Sequence, residues 1–375
     1  MQEEENDAMK ICVYAICKNE RQFVERWARS MREADYVIAL DTGSTDGTVE
    51  ALRAQGVHVE EQVISPWRFD VARNESMKRI PSDADVCVCT DLDEEFAPGW
   101  RAALEAQWRP GAQRGRYRYT WSFNPDGSEG TVLWPDKIHA RHGYKWVYPV
   151  HEVLAREDGR NETAAEVVVL QGVQLNHHPD PTKSRAQYLP LLELSVLENP
   201  DDARTAHYLG REYMFHRQWR KCIERLTLHL GMPGATWREE RCASCRFIAR
   251  AHIQLGERRE ARAALFRAIA EAPWLREPYF EMARLLLSDG EFAGAVFMAR
   301  QALAIQTRPE VYISEDVAWG DDLPRLLDRA QAELNRLCSN ETGAPASFSK
   351  QERLSEVNPL EPPFRRAQRS ASATY

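Results

Sequence analysis

Four short apolar runs, separated by stretches with helical periodicity, limit what the first part of this chain can become. Ile11–Ile16 (ICVYAI), Tyr36–Leu40 (YVIAL), Val57–Val63 and Asp85–Thr90 (DVCVCT) read as strands. Glu20–Met31, a segment starting near Thr48, and Phe69–Arg79 read as the helices between them. Buried strands joined by helices of this length pair in parallel with right-handed crossovers. In such sheets ligands bind beyond the carboxyl ends of the strands. That rule picks out Lys18-Asn19-Glu20, Asp41 and Asp91-Leu92-Asp93, because each follows a strand directly. The turn Asp41–Thr48 (DTGSTDGT) is rich in side chains that accept from the free N–H groups of a helix start.

From Arg116 the texture changes. Arg116–Phe123, Thr131–His139 and Glu166–Leu175 read as further strands with little helix between, and Asn124–Gly127 (NPDG) is a strong turn signal. After Pro181 the chain is almost wholly helical, and it repeats itself. Gly256, Ala261 and Ala268 recur 34 residues on as Gly290, Ala295 and Ala302, with Pro273 answered approximately by Pro309. That is the tetratricopeptide period, in which small residues let two antiparallel helices pack closely. Tyr208-Leu209-Gly210-x-x-Tyr213 carries the leading part of the same signature; a generic bundle with coincident alanines is the alternative. The tail from Ser339 is rich in Ser, Pro, Ala and Arg and reads as disordered. The expected organisation is a flexible start (1–9), an α/β domain (10–180), a helical linker with repeats (181–338), and the tail (339–375).

Composition fits a soluble globular protein, with 43% hydrophobic and 28% charged residues. A net charge of −8 argues against a general basic field for nucleic acid, because phosphate neutralisation needs clustered Lys and Arg. Met1–Lys10 is acidic and polar, so no signal peptide is expected, and no run of about 18 apolar residues offers a membrane span. The expectation is a cytoplasmic protein whose eight cysteines are reduced thiols. Cys242-x-x-Cys245 has no second Cys or His pair at zinc-finger spacing.

The segment that bears chemistry is Thr90-Asp91-Leu92-Asp93-Glu94-Glu95, at the end of a buried strand. Acids packed this tightly repel one another unless a cation, solvent or hydrogen bonds compensate. Asp91 and Asp93 can approach one hard divalent ion, and such an ion shares its shell with substrate phosphates. Alone, the pattern is equally that of a solvated acidic loop. Its company is more specific. Ile16-Cys-Lys18-Asn19-Glu20, Asp41–Thr48, Pro66-Trp67…Phe69-Asp70-x-Ala72-Arg73-Asn74 and Asp91–Glu94 follow one another in an order that resembles family-2 glycosyltransferases of the GT-A fold. The likeness is to the subset with C-terminal tetratricopeptide repeats. Val150-His151-Glu152 and Asn176-His177-His178-Pro179 resemble later blocks of that subset. The fold class it implies is an α/β N-terminal GT-A domain (Rossmann-like, mostly parallel sheet) followed by an all-α tetratricopeptide-like helical repeat domain.

The resemblance also implies roles. Asp41 would contact the base or ribose, Lys18 and Arg73 the nucleotide, and Asp91 and Asp93 would hold Mn2+ or Mg2+ against the diphosphate, Asp91 also touching ribose. His177, with His178 as competitor, would be a further metal ligand. Glu152 would be the base that takes the acceptor's proton if the enzyme inverts, with Glu94 and Glu95 as rivals. Trp134, Trp146 and Tyr148 read as core. The repeats are degenerate, with Ala206 and Cys245 where an aromatic is usual and only Tyr279 keeping it. The implied activity is transfer of a hexose from a UDP-linked sugar to a hydroxyl or thiol on a protein or peptide, a glycan or, less readily, modified DNA. A catalytically silent nucleotide-binding scaffold and a nucleotidyltransferase are the alternatives, and homo-oligomerisation stays open.

Overall fold

The computed structural model describes residues 9–180, 183 and 186–340. The expected flexible start lies, up to Ala8, outside the described residues, and so does the expected tail from Glu341 onward; Ser339 and Asn340 instead close the last helix. The chain divides into two compact units after Lys183. An α/β unit comes first and an all-α unit follows, in the expected order.

The α/β unit opens with β1 (Ile11–Cys17), α1 (Val24–Met31), β2 (Tyr36–Asp41), α2 (Thr48–Ala54), β3 (His58–Glu61), α3 (Phe69–Met77) and β4 (Val86–Thr90). These four strands pair in parallel in the order β3-β2-β1-β4. All seven residues of β1 and all five of β4 are buried, as strands covered on both faces must be, which is why they read as unbroken apolar runs. Trp27 and Met31 of α1 are wholly buried.

Beyond β4 come β5 (Glu94–Phe96), α4 (Trp100–Glu105), β6 (Arg114–Thr120), β7 (Val132–Leu133), β8 (Ile138–Ala140), β9 (Tyr144–Val147), β10 (Val153–Arg156) and β11 (Val167–His177). The sheet continues as β4-β8-β6-β11-β5, with β7 beside β6. It is mixed here: β6 and β11 run parallel, whereas β8 and β5 run antiparallel to their neighbours. The single strand expected over Thr131–His139 is two short ones, β7 and β8, separated by Trp134–Lys137. Pro135 sits in that gap and has no N–H for a ladder. β9 and β10 form a separate antiparallel hairpin.

The all-α unit holds α5 (Tyr188–Glu198), α6 (Ala203–Phe215), α7 (Trp219–Gly231), α8 (Arg238–Gln254), α9 (Arg258–Glu271), α10 (Arg276–Ser288), α11 (Phe292–Ala304) and α12 (Asp322–Asn340). The repeating alanines Ala261, Ala268, Ala295 and Ala302 are all fully buried where helices meet. Gly256 and Gly290 follow α8 and α10 at φ +77° and +79°, the left-handed stop that glycine tolerates best. After α6 the same place is taken by Arg217 at φ +57°. Gly210 lets α6 and α7 touch, since a Cβ there would lie 2.5 Å from Leu226 Cγ. Among the described residues no helix is long and apolar enough to cross a membrane.

Candidate functional site

The site grows from the ends of β1, β2 and β4. Lys18 leaves β1 exposed. Asn19 beside it has φ +55°, its backbone N–H donates to Ser44 Oγ at 2.8 Å, and its side-chain carbonyl accepts from Thr45 N at 2.8 Å. Asp41, at the end of β2, is 1% exposed, and Oδ1 accepts from Gly43 N (2.9 Å) and Ser44 N (2.8 Å). Its Oδ2 accepts from the Ser44 hydroxyl. Asp41 therefore braces its own turn from within, while Asp46 accepts from Thr48 N at 3.0 Å at the start of α2.

After β4, a tight turn closed by Glu94 N donating to Asp91 O (3.1 Å) leads into β5, which pairs with β11 so that Glu94 faces His177 across the ladder. This pairing brings together residues far apart in sequence. The His177 Nδ1–H donates to the Trp121 carbonyl at 3.0 Å, which leaves Nε2 facing Asp93 Oδ2 at 3.5 Å. Asp93 Oδ1 is buried and has no hydrogen-bond partner among the described residues. Burial opposes charge on His177, but Asp93 outweighs it and raises the imidazole above its ordinary pKa. A place that favours a proton between two acceptors favours a metal cation for the same electrostatic reason. His178 points elsewhere, with Nε2 3.4 Å from Glu95 Oε2 and its ring stacked on Phe123.

Asp91 turns the other way. Its Oδ1 accepts from Arg73 Nη2 at 2.8 Å, and its Oδ2 lies 3.6 Å from Lys137 Nζ. Among the described residues Asp91, Asp93 and His177 do not all lie within 4.8 Å of one another. The partners of the two aspartates therefore differ: Arg73 and Lys137 for Asp91, His177 for Asp93. Arg73 departs further from expectation. It is 1% exposed, donates from Nε to Glu152 Oε1 at 2.8 Å, and lies over the Trp146 ring at 5.4 Å. Burial works against its charge, yet Asp91 and Glu152 hold the guanidinium well above its ordinary pKa. Arg73 is an internal clamp joining two carboxylates rather than a side chain turned outward to a nucleotide.

Glu152 follows His151, whose φ is +53°, and Tyr148 just before has φ +78°. With Asn19, these are three of the four non-glycine residues at positive φ among the described residues, and such strain of about 1–3 kcal/mol each gathers at functional sites. Glu152 Oε2 is buried without a hydrogen-bond partner among the described residues. Glu94 is the opposite case. Its Oε2 accepts from Asp91 N and its Oε1 from the Tyr119 hydroxyl, both at 2.9 Å, and burial pushes its pKa up. It props the turn.

Sequence reasoning missed Lys137, which is 9% exposed and lies 3.8 Å from Glu94 as well as beside Asp91. Burial opposes its charge, but the two carboxylates outweigh burial and raise the ammonium. Its only sign was a lysine inside a run read as a strand. The Trp121 carbonyl and the Tyr119 hydroxyl had no sign at all.

No protein-family model and no curated relative matches the chain. Solved structures with partial similarity include MamA (17% identity over 40% of this chain and 89% of MamA, TM-score 0.29). The TPR2B domain of yeast Sti1, in a complex with pHsp70, matches at 19% identity over 35% of this chain and 97% of that domain, with TM-score 0.29. Glucosyl-3-phosphoglycerate synthase from Mycobacterium tuberculosis, bound to Mn2+, UDP and glucosyl-3-phosphoglycerate, matches at 25% identity over 30% of this chain and 44% of the synthase, with TM-score 0.27. The chain thus spans less than half of that enzyme. At these TM-scores the likenesses carry no weight for function, which has to be argued from the geometry.

Proposed function

We propose that the α/β unit is a metal-dependent glycosyltransferase that moves a hexose from a UDP-linked sugar to a hydroxyl or thiol acceptor with inversion. The observation that carries this reading is the division of labour between Asp93 and Glu152. One carboxylate (Asp93) shares an imidazole with a cation-favouring gap, and another (Glu152) is held by one oxygen with the other left to accept.

The Asp93 carboxylate and His177 Nε2 fit a divalent ion: the carboxylate faces the imidazole through Oδ2 and has its buried Oδ1 without a hydrogen-bond partner among the described residues, and the ring is oriented by a backbone carbonyl. Bound there, Mn2+ or Mg2+ would neutralise the diphosphate leaving group. Lys18 and the turn braced by Asp41 receive the nucleotide at the sheet's carboxyl edge. Arg73 holds Glu152 and Asp91 in register, and Glu152 Oε2 takes the acceptor proton. In that step the acceptor oxygen or sulfur bonds to the anomeric carbon as the bond from that carbon to the diphosphate oxygen breaks. The electron pair leaves with UDP. The helical unit, which has the periodicity of peptide-binding repeats, is assigned to an acceptor of protein or peptide type.

The test is a thermal-shift titration with UDP, GDP and their sugars, with and without Mn2+. UDP should stabilise the protein only with metal, and Asp93→Asn or His177→Ala should erase the metal dependence. Glu152→Gln should keep metal-dependent UDP binding yet lower UDP release from donor by about 10²–10⁴-fold. No metal-dependent stabilisation by any nucleotide sinks the transferase reading, and near-normal release by Glu152→Gln sinks the base assignment.

A further inference from the structure

The all-α unit buries a polar cluster that sugar transfer does not use. His207 on α6, His229 on α7 and Ser244 on α8 are each 0% exposed, and Glu240 in the first turn of α8 is 8% exposed. One ligand atom from each of His207, His229 and Glu240 lies within 4.8 Å of the other two. Both imidazole Nδ1 atoms address one hydroxyl, Ser244 Oγ, at 2.7 Å from His207 and 3.0 Å from His229. A hydroxyl oxygen has two lone pairs and can accept from both rings at once. Wired that way, each ring carries its proton on Nδ1 and a lone pair on Nε2. Both Nε2 atoms are buried and make no hydrogen bond among the described residues, and His229 Nε2 lies 3.4 Å from Glu240 Oε1. The other Glu240 oxygen, Oε2, accepts from the Tyr312 hydroxyl at 2.8 Å. The carboxylate is therefore also pinned by one oxygen, with its other oxygen directed at an imidazole.

We propose that His207, His229 and Glu240 bind a zinc-class divalent ion that ties α6, α7 and α8 together. Two imidazole nitrogens and one carboxylate oxygen form a donor set for Zn2+ and not for Ca2+ or Mg2+, which prefer all-oxygen shells. Ser244 and Tyr312 orient the ligands from behind, the support that metal-bound histidine and carboxylate usually have. The alternative wiring has Ser244 donating to one ring and no ion present. It leaves His207 Nε2 buried with nothing to bond to, and buried polar atoms without partners are uncommon in folded proteins. The ligands come from three successive helices and are buried, and a water would complete the four-coordinate shell. Cys242 and Cys245, on the same α8, contribute no ligand to the group.

Full-length protein stripped with a chelator and then titrated tests this without any nucleotide. Wild type should retain one equivalent of Zn2+ after desalting, gain thermal stability with it, and with Co2+ develop the visible absorption of a four-coordinate ion. His207→Gln and His229→Gln should each lose that equivalent and that absorption. Ser244→Ala, which leaves all three ligands in place, should weaken Zn2+ binding by about 10–100-fold. The proposal is overturned if stripped wild type takes up no Zn2+, or if its Co2+ spectrum is unchanged by either histidine substitution. Neither result bears on Mn2+ and UDP at Asp93, so the two readings fail separately.

Discussion

Arg73→Met removes a buried guanidinium but keeps most of its volume against Trp146. The charge removed serves two carboxylates, Glu152 through Nε and Asp91 through Nη2, each at 2.8 Å. They do not lose equally. The Asp91 side chain is 15% exposed and keeps Lys137 at 3.6 Å, whereas the Glu152 side chain is 1% exposed and has no other ion pair among the described residues. Leaving one member of a buried pair behind costs about 3–5 kcal/mol, out of a total stability of about 5–15 kcal/mol. Most of that cost belongs to Glu152. Glu152→Gln drops the charge yet keeps an oxygen for Arg73 Nε, which costs about 1 kcal/mol. In the double variant no uncompensated charge remains at position 152, so it should be more stable than Arg73→Met alone. The coupling is expected at about 2–3 kcal/mol. Urea unfolding followed by tryptophan fluorescence reads it as a shift in midpoint at unchanged slope. The relevant transition is the one all three variants displace, because two units need not unfold together. Additivity of the single effects within about 0.5 kcal/mol would refute the clamp.

Two further outcomes follow from packing and protonation. His139 is fully buried; its Nδ1–H donates to the Ala140 carbonyl, and its Nε2 accepts from the Tyr14 hydroxyl, both at 2.8 Å, with Trp146 Nε1 donating to that hydroxyl at 3.0 Å. Burial pushes its pKa down from 6.5 to about 4. The unfolded chain therefore takes up a proton that the fold refuses, so this stability is present above about pH 6.5 and is lost as pH falls toward 4, by roughly 3 kcal/mol. His139→Gln should flatten the difference in urea midpoint between about pH 7 and pH 4.5; an unchanged difference would exclude His139 as its source. At the first helix pair, Gly210→Ala places a methyl against Leu226 and should cost about 1–3 kcal/mol, read as a lowered Tm, with a loss under about 0.5 kcal/mol counting against close packing of α6 on α7.

How far the sequence reveals this depends on what each residue is buried against. β1, β2 and β4 are legible because strands covered on both faces leave unbroken apolar runs. β5 is not: it is three residues long, two of them glutamates, and only its pairing with β11 makes it a strand. The two later helix pairs show themselves through Gly256 and Gly290, whereas the first shows only its leading part, Tyr208–Tyr213, because Arg217 stands in the left-handed stop. The acids and histidine of the site could be chosen by residue type and position. Which side chain each one meets could not, because Arg73 looks like any helix arginine until α3 packs it under Trp146. The His207, His229 and Ser244 cluster is hidden for the same reason, since single polar residues on helices read as solvent-facing until neighbouring helices cover them.

The position of the motif in the sheet explains why its two aspartates part company. Asp91 ends the run from β4, on the parallel half, and meets Arg73 from α3 and Lys137 from just before β8. Asp93 sits across a tight turn, one residue short of β5, and meets His177 at the end of β11 on the mixed half. Glu94 fixes that turn by accepting from the Asp91 N–H and from Tyr119 of β6. A two-residue spacing in a turn sends side chains to different neighbours, so Asp-x-Asp here meets partners on both halves of the sheet. One arm faces the clamp that holds Glu152 and the other faces the cation-favouring gap. On the proposed reading, the acceptor's base Glu152 and the metal site at Asp93 and His177 would thereby be kept apart yet held through one turn, as displacement at a carbon between acceptor and diphosphate requires.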